Sequence, residues 1–322
     1  MQAIALAQNT FVQTFPNPKV ACVIVSESGE VLGQGVHGQS GADHAEVIAL
    51  SQASTRARGA TAYVTLEPCG HFGQTGPCVD ALIAAGIKRV VFAVADPLHG
   101  GKEVLMQRGM EVTGGVHERD AYEGLAQWLH NEVCASPFVT LKIAATLDGF
   151  IAASDGSSQW ITSEASRHYV QKILLDSDAI VTSTVTVQSD NPHFSVRDYE
   201  VKSQPHVYVL GTRELLESAR MDGRFTRIDS HDPNEVIKQA MHDKKRHLLI
   251  EAGGKIASAF LRANLVNRII WITAPTILGD GKKAVQGLGI ASLDAALQGD
   301  VISQFTIEGD FVTILRMDRC SH

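Results

Sequence analysis

One histidine, one glutamate and two cysteines near the start of the chain have the types and spacing of a metal-dependent hydrolytic site. His44 and Glu46 are two positions apart, and Cys69 and Cys78 follow downstream. A zinc ion that takes part in chemistry usually has three protein ligands and keeps one position open for water. The sequence therefore predicts that His44, Cys69 and Cys78 bind one Zn²⁺. Glu46 is then free to move protons to and from that water, which makes it the predicted catalytic residue.

The same residues fit the pattern H-x-E…P-C…C of zinc-dependent deaminases, because Pro68 precedes Cys69. A purely structural zinc site would more often have four protein ligands, and His71 is the candidate for the fourth. We give this closed site less weight because it leaves Glu46 without a role. Iron or cobalt could bind the same ligands, although their softness favours zinc.

The composition favours a small-molecule substrate over a nucleic acid or a membrane. The net charge is −7, and the Lys and Arg residues are scattered, whereas nucleic-acid-binding proteins usually show a basic stripe. No apolar run approaches the ~18 residues that cross a bilayer, and residues 1–8 do not form a convincing secretion signal. We interpret Cys22, Cys134 and Cys320 as unpaired thiols, because five cysteines spread over a long chain fit a reducing cytoplasm.

Strand-like and helix-like segments alternate along the chain, which predicts an α/β fold. The predicted strands of the first part are 20–25, 31–36, 62–66 and 89–94, and helices are expected at 1–8, from about 44, at 77–85 and at 119–133. The pattern breaks at 134–137, so we predict two domains, residues 1–135 and 136–322. In the second domain the predicted strands are 138–144, 179–181, 206–210, 248–251, 268–272, 301–307 and 311–316, and the predicted helices are 163–175 and 255–261. Strands that are apolar throughout predict sheets covered on both faces.

Two features of the second domain are weak signals by themselves. Gly253-Gly254 follows a predicted strand and opens a helix, where backbone N–H groups could bind a phosphate. A tight strand-to-helix turn explains the glycine pair at least as well. Trp160 precedes a helix capped by Thr162 or Ser163, and a tryptophan at such a position is more often a packing residue. The chain has no G-x-G-x-x-G and no Walker sequence, so neither a Rossmann nor a P-loop domain is predicted.

Longer motifs occur in both domains. Those of the first domain are Pro16-Asn17-Pro18, His44-Ala45-Glu46-Val47 and Thr65-Leu66-Glu67-Pro68-Cys69, with an eight-residue gap before Cys78. Those of the second are Leu141-Lys142, Leu147-Asp148-Gly149, the segments 158–163, 177–180 and 251–254, and Asp190-Asn191-Pro192 with Arg197. In cytidine and tRNA deaminases the two cysteines are only two residues apart. Over essentially its whole length, the chain resembles the bifunctional deaminase/reductase family of riboflavin biosynthesis.

The resemblance implies two consecutive reactions. A cytidine-deaminase-like α/β/α sandwich would hydrolytically deaminate 2,5-diamino-6-ribosylamino-4(3H)-pyrimidinone 5′-phosphate, and a dihydrofolate-reductase-like α/β domain would then use NADPH to reduce the ribosyl group to ribityl. The residues implied to contact NADPH are Ala144, Trp160, Thr186, Asp190, Gly253, Gly254, Lys255, Ile256, Ala257, Ser258 and Ala259. Those implied to contact the phosphorylated substrate are Ser158, Phe194, Arg197 and Glu251. Family members often associate through the second domain, which implies a homo-oligomer.

Two departures from the family pattern define an alternative. Leu174 stands where the family usually has an arginine that contacts substrate, and Leu210-Gly211 replaces a common Asp-Ser pair that helps hold the cofactor. Losing a phosphate contact of ~2.7 kcal/mol lowers affinity roughly 10²-fold. The alternative is therefore an active deaminase with a weakened reductase domain. A nucleic-acid-editing protein disagrees with the acidic charge, and a zinc-stabilised scaffold without catalysis gives Glu46 no function.

Overall fold

The chain forms two compact units. The structure is a computed structural model that describes residues 1–39, 41–72, 76–215 and 219–317. Unit 1 comprises Met1–Val133 and unit 2 comprises Cys134–His322. Among the described residues, no helix combines the length and the apolar character that crossing a membrane requires.

Unit 1 is an α/β fold around one five-stranded sheet. Its elements in chain order are α1 (Gln2–Gln8), β1 (Ala21–Val25), β2 (Val31–Val36), α2 (Ala45–Ala53), β3 (Thr61–Leu66), α3 (Cys78–Ala84), β4 (Arg89–Val94), α4 (Lys102–Gln107), β5 (Glu111–Thr113) and α5 (Glu118–Cys134). The strand order is β2-β1-β3-β4-β5. Strand β1 runs antiparallel to both of its neighbours, whereas β3, β4 and β5 are parallel.

The sheet of unit 1 is covered on both faces, as the sequence predicts. Successive residues of β1 from Ala21 to Ile24 are all buried, although adjacent side chains of a strand point to opposite faces. Apolar side chains of α2, α3 and α5 share one cluster with the strands. Burying each large apolar side chain contributes roughly 1.5–3 kcal/mol, so this cluster fixes where α2 and α3 begin relative to the sheet.

Unit 2 is built on an eight-stranded sheet and a two-stranded ribbon. Its elements are β6 (Phe138–Thr146), β7 (Phe150–Ala153), α6 (Glu164–Leu175), β8 (Ala179–Ser183), α7 (Thr184–Asp190), β9 (His206–Leu210), β10 (Phe225–Ile228), α8 (Pro233–His242), β11 (His247–Ile250), α9 (Gly254–Arg262), β12 (Arg268–Ala274), β13 (Gly281–Lys283), β14 (Asp300–Ile307) and β15 (Asp310–Arg316). The large sheet has the order β10-β9-β8-β11-β6-β12-β15-β14, and β13 pairs with β7.

The strand directions of unit 2 bring several loops to one edge. Strands β8, β11, β6 and β12 are mutually parallel. The segments that follow them therefore leave the sheet along the same edge, where ligands of open α/β sheets usually bind. Alternate residues of β8 face two different apolar clusters, with Val181 in one and Ile180 in the other. The sheet is thus a rigid, doubly covered support for these loops.

Most predicted elements are confirmed, but among the described residues seven further α-helices and strands were not predicted. These are α4, β5, β7, α7, β10, α8 and β13. Helix α8 had a readable start, because Asp232 caps it through Asn234 N and Pro233 occupies its first turn. Helix α7 was harder to predict: Ser183 caps it through Thr186 N, but Thr and Val dominate its sequence and helix propensity is low for both. The expectation that Cys134 is a free thiol is wrong, because it is disulfide-bonded; Cys320 lies outside the described residues.

Candidate active sites

Three predicted metal ligands converge in unit 1. His44 is the N-cap residue of α2, Cys78 is the first residue of α3, and Cys69 lies three positions beyond the end of β3. One ligand atom from each residue lies within 4.8 Å of the other two. Among the described residues, these are the only three that form such a group, and His71 is not part of it. The structure therefore gives no support to the closed site with His71 as a fourth ligand.

The distances within this group suit a zinc ion. His44 Nδ1 lies 3.1 Å from Cys78 Sγ and 3.6 Å from Cys69 Sγ. Typical Zn–N and Zn–S bonds in a tetrahedron place nitrogen and sulfur about 3.6 Å apart. The amide of Cys78 also donates to Cys69 Sγ at 3.4 Å. Two sulfurs and one imidazole nitrogen are a donor set that fits zinc.

The electrostatics of the group favour one thiolate beside a cationic imidazole. The hydrogen bond from Cys78 and the interaction with His44 lower the pKa of Cys69 to about 4. The bond to Cys69 also raises the pKa of His44. Hydrogen bonding to Cys69 and burial raise the pKa of Cys78. Without a cation the three groups thus share their protons, and a divalent cation bound to them would displace those protons from His44 and Cys78.

Glu46 is enclosed next to the predicted ligands. Its side chain is 3% exposed, on the first turn of α2. Burial is the main cause that raises its pKa to about 7, and the charge of Cys69 acts in the same direction. A carboxyl group with a pKa near neutrality can both accept and donate a proton at physiological pH.

Sequence reasoning assigned no role to His37. In the structure, this residue supports the candidate ligand His44 by packing against it. The ring of His37 packs edge-on against that of His44, with the centroids 5.1 Å apart. Asn17 Nδ2 donates to His37 Nε2 at 2.9 Å, and His37 Nδ1 donates to the carbonyl of Asp43 at 3.2 Å. These two contacts fix a neutral tautomer, in line with the pKa of His37, which burial lowers. The sequence signal that could have pointed to His37 was the Pro16-Asn17-Pro18 motif, because Asn17 is a hydrogen-bond partner of His37.

The loops near Cys69 carry a second histidine pair. His71 stacks on His99 with the ring centroids 4.0 Å apart. Gly70 N donates to the carbonyl of His99 at 2.8 Å, and Cys69 forms an isolated antiparallel β-bridge with Gly100. Glu67 holds the same loop, because its carboxylate accepts from the amide of Lys102 at 2.8 Å. His71 is therefore held beside the ligand loop by packing, without being a ligand.

In unit 2, predicted substrate and cofactor residues lie at the shared edge of the sheet. Lys142 on β6 and Glu251, just after β11, form an ion pair with 3.3 Å between Nζ and Oε1. This Oε1 atom is buried and has no hydrogen-bond donor among the described residues. Ala144 follows on the same half-buried side of β6. The pair therefore presents a charged, partly enclosed acceptor at the edge where ligands bind.

The residues implied to contact NADPH differ in what they expose. Trp160 is 69% exposed, Asp190 ends α7 at the surface, and Thr186 Oγ1 lies 3.0 Å from Ser183 Oγ. At the start of α9, Gly253 is the N-cap without a side-chain cap. The side chains of Ile256, Ala257 and Ser258 are buried, so this turn could offer a ligand mainly backbone groups together with Lys255 and the half-buried Ala259.

The residues implied to contact substrate are similarly mixed. Arg197 is exposed, and its amide donates to Gln171 Oε1 on α6 at 2.8 Å. Ser158 is half-buried. Phe194 is 7% exposed and packs in an apolar cluster. Its side chain is therefore part of the core beneath the site, with little surface left for a ligand.

The two departures from the family pattern have local structural explanations. Leu174 is 3% exposed and packs in an apolar cluster with Leu175 and Ile180, so the position serves the core. Gly211 has a φ of +121°, and a Cβ atom there would lie 2.5 Å from Thr184 Oγ1. Leu210 is 1% exposed in the other cluster. Each position is thus filled by the residue that its surroundings accommodate.

Comparisons with known proteins cover both units. Residues 1–94 match the family model of the cytidine and deoxycytidylate deaminase zinc-binding region, and residues 137–308 match the RibD C-terminal domain. RibD of Mycobacterium tuberculosis is 41% identical over 295 residues, which cover 88% of this chain and 86% of that protein. RibD of Escherichia coli is 36% identical over 327 residues, with 88% and 89% covered.

Solved structures agree over nearly the whole length. Acinetobacter baumannii RibD has a TM-score of 0.85 at 33% identity and covers 99% of this chain and 97% of its own. The Thermotoga maritima protein described as a diaminohydroxyphosphoribosylaminopyrimidine deaminase/5-amino-6-(5-phosphoribosylamino)uracil reductase has a TM-score of 0.83 at 28% identity, with 98% and 97% covered.

Fold and site together define a bifunctional enzyme with a cytidine-deaminase-like unit followed by a reductase unit. The chain belongs to the RibD family of riboflavin biosynthesis proteins. It acts in riboflavin biosynthesis by deamination and reduction. Because the matches extend over both units, the alternative of a deaminase with a weakened reductase is not favoured.

Proposed function

We propose that unit 1 is a zinc-dependent deaminase in which His44, Cys69 and Cys78 hold the metal and Glu46 carries protons. The observation that carries this proposal is the convergence of the three ligand atoms within 4.8 Å beside a carboxyl group that is 3% exposed. When bound, zinc supplies an acidified water for attack on the ring carbon that bears the amino group. The substrate is the 5′-phosphate of 2,5-diamino-6-ribosylamino-4(3H)-pyrimidinone.

Glu46 acts twice in this scheme. It accepts one proton of the attacking water and passes it to the ring nitrogen, and it then transfers the proton of the added hydroxyl group to the amino group, which leaves as ammonia. Its burial at the start of α2 excludes bulk water from the carboxyl group. His37 keeps the His44 ring in place by packing edge-on against it.

Unit 2 reduces the ribosyl group of the deaminated product to ribityl, with NADPH as the reductant. When bound, NADPH supplies the hydride, and the protein supplies position and charge. Ala144, Trp160, Thr186, Asp190 and the turn 253–259 contact the cofactor, and Ser158, Phe194, Arg197 and Glu251 contact the substrate. The Lys142–Glu251 ion pair at 3.3 Å and the exposure of Trp160 support this assignment.

A coupled assay with the phosphorylated pyrimidine tests the proposal by scoring ammonia release and NADPH consumption separately. Glu46→Gln keeps the size of the side chain but cannot take up a proton. We expect ammonia release to fall at least ~10²-fold, because general acid–base catalysis contributes that much, while NADPH consumption with the deaminated substrate stays unchanged. Glu30→Gln is the matched control, since Glu30 is an exposed carboxylate of the same unit that pairs with Arg56. Unchanged ammonia release by Glu46→Gln would refute the role of Glu46.

Three further assignments belong to this proposal. The deaminase domain comprises residues 1–135 and the reductase domain residues 136–322. The protein works in the cytoplasm on a small phosphorylated pyrimidine, without a nucleic-acid partner. Copies associate through the reductase domain, which light scattering of the full-length protein can measure.

A further inference from the structure

Trp160 is an exposed aromatic side chain that is held by a cation. Its side chain is 69% exposed, so most of its surface is available to a ligand. The guanidinium carbon of Arg167 lies 4.5 Å from the centroid of its ring system. That distance is within the range of a cation–π interaction. The indole is therefore exposed and still has a defined contact.

Arg167 also holds the backbone that follows Trp160. Its Nη1 donates to the carbonyl oxygen of Thr162 at 2.9 Å. One planar guanidinium thus contacts both the ring of Trp160 and the backbone two residues later. A guanidinium suits this double role because it is flat and its donors diverge in a fixed fork.

The helix that carries Arg167 is itself fastened at its start. Arg167 lies on the first turn of α6, whose N-cap Ser163 accepts from Ser166 N. Asp310 Oδ2 accepts from Ser163 N at 2.7 Å and from Ser166 Oγ at 2.6 Å. Asp310 is 3% exposed, so this carboxylate is committed to holding the helix start. Arg167 therefore stands on a rigid base.

We propose that Arg167 is a positioning residue of the reductase site, which holds the indole of Trp160 in the orientation that receives the flat rings of NADPH. This inference rests on the proposed contact between Trp160 and NADPH. An indole has two faces, and a cation against one of them leaves the exposed remainder to a planar ligand. Holding the ring before the cofactor arrives lowers the entropy lost on binding.

The proposal is tested in the full-length protein with Arg167→Met, Arg167→Lys, Trp160→Phe and the double variant Arg167→Met/Trp160→Phe. We expect Arg167→Met to raise the KM for NADPH roughly 2- to 5-fold, the range of a cation–π contact at an exposed site, with kcat nearly unchanged and ammonia release unaffected. Arg167→Lys should lie between wild type and Arg167→Met, because it keeps the charge but not the planar fork.

The double variant separates positioning from general stability. If Arg167 acts through Trp160, adding Arg167→Met to Trp160→Phe raises the KM for NADPH less than it does in the wild type, because the phenyl ring is a weaker partner for the cation than the indole. Steady-state anisotropy of the emission that Trp160→Phe removes should also fall in Arg167→Met, since the indole turns more freely. Equal effects of Arg167→Met in both backgrounds, or an unchanged anisotropy, overturn the proposal.

Arg268→Met is the matched control, because Arg268 lies 5.0 Å from the ring centroid of Phe138 in another cation–π pair of unit 2. It should leave the KM for NADPH unchanged, and a rise equal to that of Arg167→Met overturns the proposal. Failure of the proposed function has a different signature. In that case wild-type protein consumes no NADPH, or Trp160→Phe binds it as wild type does.

Discussion

Gly35 lies directly against the first turn of α2, where a Cβ atom on it would be 2.1 Å from the carbonyl oxygen of Ala45. Gly33 has the same relationship with Ala49, at 2.2 Å. Two glycines spaced by two residues face the same side of β2. They let the helix that carries His44 and Glu46 approach the sheet more closely than any side chain would allow.

Gly35→Ala should therefore damage both stability and deamination. The added methyl group meets backbone atoms of α2, and these cannot rotate away as a side chain could. Overpacking of this kind typically costs about 1–3 kcal/mol. We expect the free energy of unfolding of unit 1 to fall by that amount in urea titrations, with a lower rate of ammonia release because α2 shifts.

Gly124→Ala is the control for this substitution. Gly124 lies inside α5, and nothing lies within 4 Å of the position that a Cβ atom would take there. Alanine is favoured over glycine in a helix by up to about 1 kcal/mol, so unit 1 should become slightly more stable. Equal stability of Gly35→Ala and the wild type would mean that α2 can move without cost.

The grouping of the candidate metal ligands in unit 1 was predictable because their chemistry constrains them jointly. His44, Cys69 and Cys78 were candidates from type and spacing, and the structure brings their atoms together. Their exact support was not predictable. That Gly35 makes room for α2 and that His37 packs against His44 depends on contacts between segments whose pairing no local pattern specifies.

In unit 2, sequence reasoning identified the strands but not the short elements or the surroundings of single residues. The parallel strands were readable as apolar runs, but α7 and β13 are short and depend on tertiary contacts. Reading Leu174 and Gly211 as losses of function ignored their surroundings. Leu174 is a core side chain, and Gly211 occupies a conformation that other residues adopt with strain.

Gly211→Ser restores one member of the family pair and should be harmful here. Its φ of +121° disfavours any side chain, and the new Cβ would lie 2.5 Å from Thr184 Oγ1. Strain of this kind costs on the order of 1–3 kcal/mol. We expect a lower midpoint of urea unfolding for unit 2 and no gain in NADPH affinity.

Gly253→Ser provides the comparison for Gly211→Ser. Gly253 has a φ of −65° as the N-cap of α9, a Cβ atom there would have no neighbour within 4 Å, and serine is a favoured N-cap residue. The Gly253→Ser variant should be at least as stable as the wild type. Its KM for NADPH rises if this turn contacts the cofactor. A stabilised Gly211→Ser would contradict the steric explanation.

Metal content gives a direct test of the ligand set. Cys69→Ser should reduce bound zinc from about one to well below one per chain, because serine replaces a thiolate with a hydroxyl that zinc binds poorly. Ammonia release should fall with it. Cys22→Ala is the control, since Cys22 is fully buried and burial raises its pKa, which keeps it a thiol. Elemental analysis of both variants after dialysis against a weak chelator decides the matter.

His247 should make unit 2 less stable as the pH falls. Its ring is 4% exposed, with Nε2 at 2.9 Å from Thr140 Oγ1, and burial lowers its pKa from 6.5 to about 4. Above pH 6.5 the ring is neutral in both states, whereas below it only the unfolded chain takes up the proton, so stability decreases until about pH 4. The full loss is roughly 3 kcal/mol. His247→Gln retains an amide that can bond to Thr140 Oγ1 without titrating, so urea midpoints measured from about pH 7 to about pH 4.5 should fall less for the variant than for wild type. Parallel curves would show that the ring is already protonated, or already solvated, in the folded protein.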